Sequence, residues 1–84
     1  MERQYYVVSW GNIEEDPTQI ISVYTNSEAK AHELILNEIL NERLNKSVDI
    51  SKFKDIKNWE NIITEVKNKY NVGLSYMLHL KDNK

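Results

Sequence analysis

The sequence predicts a small α+β domain in which two helices cover one face of a three-stranded, mostly antiparallel sheet. Three observations predict it: strand-like segments near both ends, two helical segments between them, and a length of 84 residues that suits a single core. The expected element order is β-β-α-α-β within one domain, residues 1–84. Each helix must bury its apolar stripe, and one sheet face is the natural partner of both.

The first two strands are predicted near the N-terminus. Residues 4–10 are aromatic and β-branched, and residues 19–25 have a similar composition. Between them lies a polar stretch that contains Gly11 and Pro17 and is typical of a loop. Since consecutive strands usually pair, we expect these two to be antiparallel neighbours.

The first helix is predicted over residues 28–45, which contain no Gly or Pro and are rich in Leu and Glu. Its start has a capping-box pattern, with Thr25 three residues before Glu28. Asn26 and Ser27 are alternative caps.

The second helix is indicated by apolar residues that recur at spacings of three and four between Phe53 and Tyr70. A fresh start at Asn58 is the alternative, which leaves residues 52–57 as a short turn. Gly73 is a plausible stop for this helix.

The third strand is predicted over residues 74–80, before a charged tail at 80–84. In a regular strand, Leu78 and Leu80 share one face with Leu74, and we assign that face to the helices. Beside strand 2 this strand would complete a wholly antiparallel sheet, whereas beside strand 1 it is expected to run parallel.

The sheet face away from the helices is expected to be apolar, although such a face is normally polar. We assign Tyr6, Val8 and Trp10 to the helix side, with the reverse assignment of strand 1 as the alternative. The outer face then carries the predicted partner-binding residues, which are Tyr5, Val7, Ile20, Tyr24, Met77 and His79. Leu34, on the polar side of the first helix, is a further predicted contact.

Catalytic and metal-binding patterns are missing from the sequence. There is no cysteine, and His32 and His79 lie on different predicted elements. Gly11 and Gly73 are the only glycines, which excludes a Gly-rich phosphate loop. The acidic run at 14–16 lacks the spacing of a calcium-binding loop. We therefore predict no catalytic residue, no metal site and no cofactor.

His32 falls on the apolar half of the first helix, one turn after Glu28. One interpretation is a ligand contact or a pH-sensitive switch. The interpretation we favour is a boundary histidine that packs its ring against the core.

The charge balance argues against general nucleic-acid binding, because eleven basic residues face thirteen acidic ones and their signs are interspersed. The lack of cysteine, of a signal-peptide pattern and of a long apolar run predicts a cytoplasmic protein. Abundant Lys, Asn and Ile indicate an AT-rich genome, such as that of a low-GC bacterium or its phage.

These observations predict a non-enzymatic protein-binding module that acts through the outer sheet face or a strand edge. Its partner is expected to be a host protein or a second copy, and membrane binding is not expected. Small chains of this kind are often phage or mobile-element inhibitors of a host enzyme, such as a defence nuclease. The alternatives are a single-stranded nucleic-acid-binding domain, with Tyr5, Tyr24 and His79 stacking on bases, and an antitoxin or immunity protein.

Overall fold

A computed structural model describes residues 3–12 and 19–82, and it confirms the α+β architecture. The elements in chain order are strands β1 (Arg3–Asn12) and β2 (Gln19–Tyr24), helix α1 (Glu28–Leu36) with a π-helical continuation (Asn37–Arg43), a 3-10 helix (Ile50–Phe53), helix α2 (Trp59–Tyr70), and strands β3 (Val72–Leu74) and β4 (Leu78–Asp82). The acidic run at 14–16 lies outside the described residues. Since β4 continues to Asp82, the expected tail is in part a strand.

Strand β1 lies at the centre of the sheet. It pairs with β2 on one side and with β3 and then β4 on the other, and all three pairings are antiparallel. The expectation that a last strand beside the first would run parallel was therefore wrong. That expectation assumed one chain reversal at each joint between elements, and the antiparallel pairing of β1 with β3 shows that the chain departs from this rule.

Helix α1 begins at Ser27, whose Oγ accepts a hydrogen bond from the Lys30 amide at 3.3 Å. Ser27, rather than Thr25, is thus the cap. The helical run reaches Arg43, close to the expected end, but its last part widens into a π-helix, in which the Leu44 amide donates to Ile39 O at 3.0 Å.

The chain leaves this helix through a turn held by Asn41. The Asn41 side chain donates to Val48 O at 2.9 Å and accepts from the Val48 amide at 2.6 Å. Asn45 and Ser47 between them both have φ of 52°, a left-handed conformation that asparagine tolerates better than most residues. One amide side chain therefore closes the loop after the helix.

Helix α2 begins at Asn58, which confirms the alternative of a fresh start. Its Oδ1 accepts a hydrogen bond from the Glu60 amide at 2.8 Å. The helix ends at Asn71, which adopts the left-handed conformation with φ of 60°. Gly73, the expected stop, lies instead within β3.

A single core fills the space between the helices and one sheet face. It confirms the assignment of Tyr6, Val8 and Trp10 to the helix side of β1. The other buried apolar residues are Ile21, Ala31, Ile35, Leu36, Ile39, Leu40, Phe53, Trp59, Ile62, Val66, Val72 and Leu74. Because both helices lie on this side, the opposite sheet face is left without a helical layer.

Candidate docking surface

A β-bulge between β3 and β4 determines which side chains reach the uncovered face. Trp10 pairs with Leu74 and Val7 pairs with Leu78, so three residues of the last strand, 75–77, oppose two residues of β1. Because side chains alternate along a strand, one extra residue reverses the facing of everything beyond it. Leu78 therefore lies on the face opposite to that of Leu74.

Four hydrogen bonds centre on Ser75, one of them within the bulge, where Ser75 Oγ donates to Tyr76 O at 3.0 Å. The Ser75 amide donates to Ser9 O at 2.9 Å, and the Ser9 amide donates to Ser75 Oγ at the same distance. From the helical layer, Trp59 Nε1 donates to Ser75 O, also at 2.9 Å. These contacts replace ladder hydrogen bonds that the bulge removes, since backbone polar groups need partners when they are buried.

The outer face consists of cross-strand rows that span β2, β1 and β4. One row joins Tyr24, Tyr5 and Leu80, and the next joins Ser22, Val7 and Leu78. The rings of Tyr5 and Tyr24 meet edge to face, with centroids 4.7 Å apart and planes inclined by 63°. Ile20 continues the face along β2. The next row of the same register pairs Arg3 with Asp82.

The exposed apolar area of this face is large for so small a chain. Exposure is 73% for Ile20, 60% for Leu78 and 53% for Leu80, with Tyr24 and Tyr5 at 45% and 37%. At about 200 Å² for a fully exposed large side chain, these fractions amount to roughly 500 Å². That lies toward the upper end of the largest apolar patches on typical monomers, about 300–600 Å².

Four of the predicted partner-binding residues share the outer face, namely Tyr5, Val7, Ile20 and Tyr24. The bulge makes the assignment of Met77 and His79 to that face wrong. Met77 is partly buried against the core. His79 pairs with Tyr6 on the helix side, where the two rings stack with centroids 4.4 Å apart.

His79 is also tied to a neighbouring strand, because its Nε2 lies 2.7 Å from Gln4 Oε1. In the place of Met77 and His79, the structure adds Leu78 and Leu80 to the outer face. The prediction that both leucines face the core is wrong, because it holds only for an unbroken strand, which would turn them toward the helices. The three-residue Ser-Tyr-Met segment contains no Gly or Pro that would have indicated the bulge.

Leu34 lies away from the outer face, beside the edge of β2. It is 37% exposed and lines a groove of about 540 Å³ between β2 and the helix. The other helical residues of the groove include Asn37 and the pair Glu38–Arg43, whose charged atoms are 3.1 Å apart. The groove thus has an apolar wall at Leu34 and an ion pair farther along.

A second concavity lies on the far side of α1, against the 3-10 helix. It has a volume of about 590 Å³, and His32 and Phe53 line it together with Glu28. His32 is buried, with its ring 5.1 Å from that of Trp59 and its Nε2 3.7 Å from Glu28 Oε1. Burial lowers the pKa of His32, and the carboxylate of Glu28 opposes that shift. This environment agrees with a histidine packed at the core boundary.

The described residues contain no group of three or more His, Asp or Glu side chains placed to hold a metal ion. In the same part of the chain, no helix is both long and apolar enough to cross a membrane. Neither a protein-family model, nor a curated protein, nor a solved structure matches this sequence or fold.

Proposed function

We propose that this chain is a protein-binding module that docks through the outer sheet face. The observation that carries the proposal is the exposure of five large apolar side chains on one helix-free face: Tyr5, Ile20, Tyr24, Leu78 and Leu80. Their estimated area, roughly 500 Å², is more than half of the about 800 Å² that each partner contributes to a standard interface.

The chemistry of the face favours a partner with an apolar, uncharged protein surface. A charged partner surface would lose its hydration against the side chains of Tyr5 and Leu80 without gaining an opposite charge from either. Tyrosine is enriched in interface cores, where its ring adds contact area at a low cost in side-chain entropy.

Single-stranded nucleic acid is the weaker candidate for this face. Binding of that kind combines aromatic platforms with basic side chains along the phosphate backbone. Here Tyr5 and Tyr24 pack edge to face, Leu78 and Leu80 are aliphatic, and His79 lies on the other side of the sheet. The net charge of −2 also opposes phosphate binding.

Inhibition of a host enzyme by a phage or mobile-element protein stays a prediction within this proposal. A docking inhibitor needs a stable fold and one complementary surface, and it needs no catalytic group of its own. An antitoxin or immunity protein has the same requirements. The identity of the docked protein distinguishes these roles.

The proposal is tested by placing a photo-crosslinking amino acid at Leu80 and, in a matched control, at Asn68 on the exposed side of α2. In the organism that produces the chain, we expect a protein adduct at position 80 and none at position 68. The adduct partner is identified by mass spectrometry and purified. Binding of the purified pair is then measured by calorimetry.

In that reconstituted pair, Leu80→Ser is expected to weaken binding by about tenfold or more, and Asn68→Ser to leave it unchanged. Equal adducts at both positions, or equal affinities for both variants, would contradict the proposal. Tight binding of labelled single-stranded RNA or DNA that Leu80→Ser abolishes would reassign the face to nucleic acid. An adduct between two copies of the chain would also count against a separate partner.

A further inference from the structure

Strand β2 has a second edge that no strand pairs with among the described residues. Natural proteins protect such edges with Lys, Pro, bulges or very short strands. The six residues of β2, Gln19–Tyr24, contain no charge and no proline. The other side of the sheet is different, because the bulge at 75–77 divides it into β3 and β4.

The backbone of β2 presents hydrogen-bonding groups along this edge. Just past the strand, the Thr25 amide donates to Gln4 O of β1 at 3.1 Å. Because amides alternate in direction along an extended strand, those of Val23 and Ile21 also point toward β1. The amides and carbonyls of Ser22 and Ile20 therefore point away from β1, toward the second edge.

The pattern of polar and apolar residues in β2 is symmetric about Ser22. In an antiparallel pairing of two β2 strands centred there, apolar residues meet apolar residues and polar residues meet polar ones. The facing pairs are Ser22 with Ser22, Ile21 with Val23, Ile20 with Tyr24, and Gln19 with Thr25. A register centred on Ile21 would instead place Ile20 opposite Ser22, and it would put an amide that points toward β1 on the axis.

The groove beside β2 gives room for the side chains that a second copy would bring. Ile21 and Val23 of an added strand point to the helix side, and there the groove offers the exposed Leu34. Leu34 thereby acquires an apolar contact that it lacks on the surface of one copy.

We propose that two copies of this chain pair through β2, with Ser22 on a twofold axis perpendicular to the sheet. The two Ser22 residues exchange a pair of backbone N–H to O=C hydrogen bonds, and the two sheets become one continuous sheet. Such an isologous contact closes on itself. Both outer faces then lie on the same side and form one surface of twice the area, a consequence that rests on the proposed function.

The test is the molecular mass of the full chain by analytical ultracentrifugation over a concentration series. We expect the wild type to sediment at twice its monomer mass of 10.0 kDa. Ser22→Lys and Ser22→Glu each place like charges on the axis and are expected to raise the dimer dissociation constant at least about tenfold. Mixed in equal amounts, the two variants are expected to recover the dimer as a heterodimer.

Asn68→Lys on α2 adds the same charge away from β2 and is expected to leave the dimer intact. A wild-type mass of 10.0 kDa up to the solubility limit would overturn the proposal. A dimer that Leu80→Lys dissociates would show pairing through the outer face instead, because Leu80 on β4 lies two strands away from the β2 edge. Failure of the mixed variants to associate would refute an axis at Ser22. None of these outcomes depends on the crosslinking partner at position 80.

Discussion

The bulge at Ser75 leads to the prediction that follows most directly from the structure. In Ser75→Ala, the Ser9 amide on the central strand loses the Oγ that accepts its hydrogen bond at 2.9 Å. The change removes one oxygen atom and leaves no large cavity. A fully buried donor without a partner costs about 1–3 kcal/mol, and because this hydrogen bond is part-buried we expect the free energy of unfolding to fall by about 1 kcal/mol. For a domain of this size, 1 kcal/mol corresponds to a melting-temperature decrease of about 4–8 °C.

The assay is urea unfolding followed by tryptophan fluorescence and by far-UV circular dichroism, at one fixed protein concentration because association shifts apparent stability. Ser22→Ala is the matched control, since Ser22 is exposed and its exchange is expected to change stability by no more than about 0.5 kcal/mol. Equal stabilities for the Ser75→Ala and Ser22→Ala proteins would refute the role of Ser75 in holding the bulge.

Two further predictions concern the helical layer. In Asn41→Ala, the amide and carbonyl of Val48 lose their partners, so the free energy of unfolding in chemical denaturation should fall by about 1–3 kcal/mol. The control Asn37→Ala, at an exposed position one turn earlier, should stay within about 0.5 kcal/mol of wild type. An equal loss in both variants would contradict the role of Asn41. Burial lowers the pKa of His32 in the folded chain. The unfolded chain has a histidine pKa of about 6.5 and therefore takes up the proton first as the pH falls. The free energy of unfolding should consequently decline below about pH 6.5. Denaturation midpoints at a series of pH values should show a shallower decline for His32→Gln, and an unchanged decline would refute this assignment.

The outer face and the β2 edge are two parts of one sheet that would bind by different interactions. The face presents apolar side chains, whose contribution to binding scales with area and depends little on direction. The edge presents backbone groups at Ser22 and Ile20, whose hydrogen bonds require one register. A partner docked on the face and a second copy at the edge would therefore not compete for the same atoms.

Local sequence determined much of this fold. Dense β-branched and aromatic residues over 4–10 predicted β1, and the apolar stripe between Phe53 and Tyr70 predicted α2, with Asn58 as the alternative start. In each case the signal lies within the element itself, as strand propensity, helical periodicity or a capping side chain. For the same reason Tyr5 and Tyr24 were correctly placed on the outer face, because an unbroken strand keeps its alternation.

The tertiary structure alone decided the facing of the last strand. The bulge depends on Trp59 and Ser9, which lie 16 and 66 residues from Ser75 along the chain, so no local pattern predicts it. One extra residue there turns Leu78 and Leu80 outward and His79 inward, because the alternation of side chains has a period of two. Tertiary contacts also placed β3 and β4 beside β1, because strand pairing is a long-range choice. Thus the sequence by itself determined that an apolar outer face exists, and the fold decided which side chains complete it.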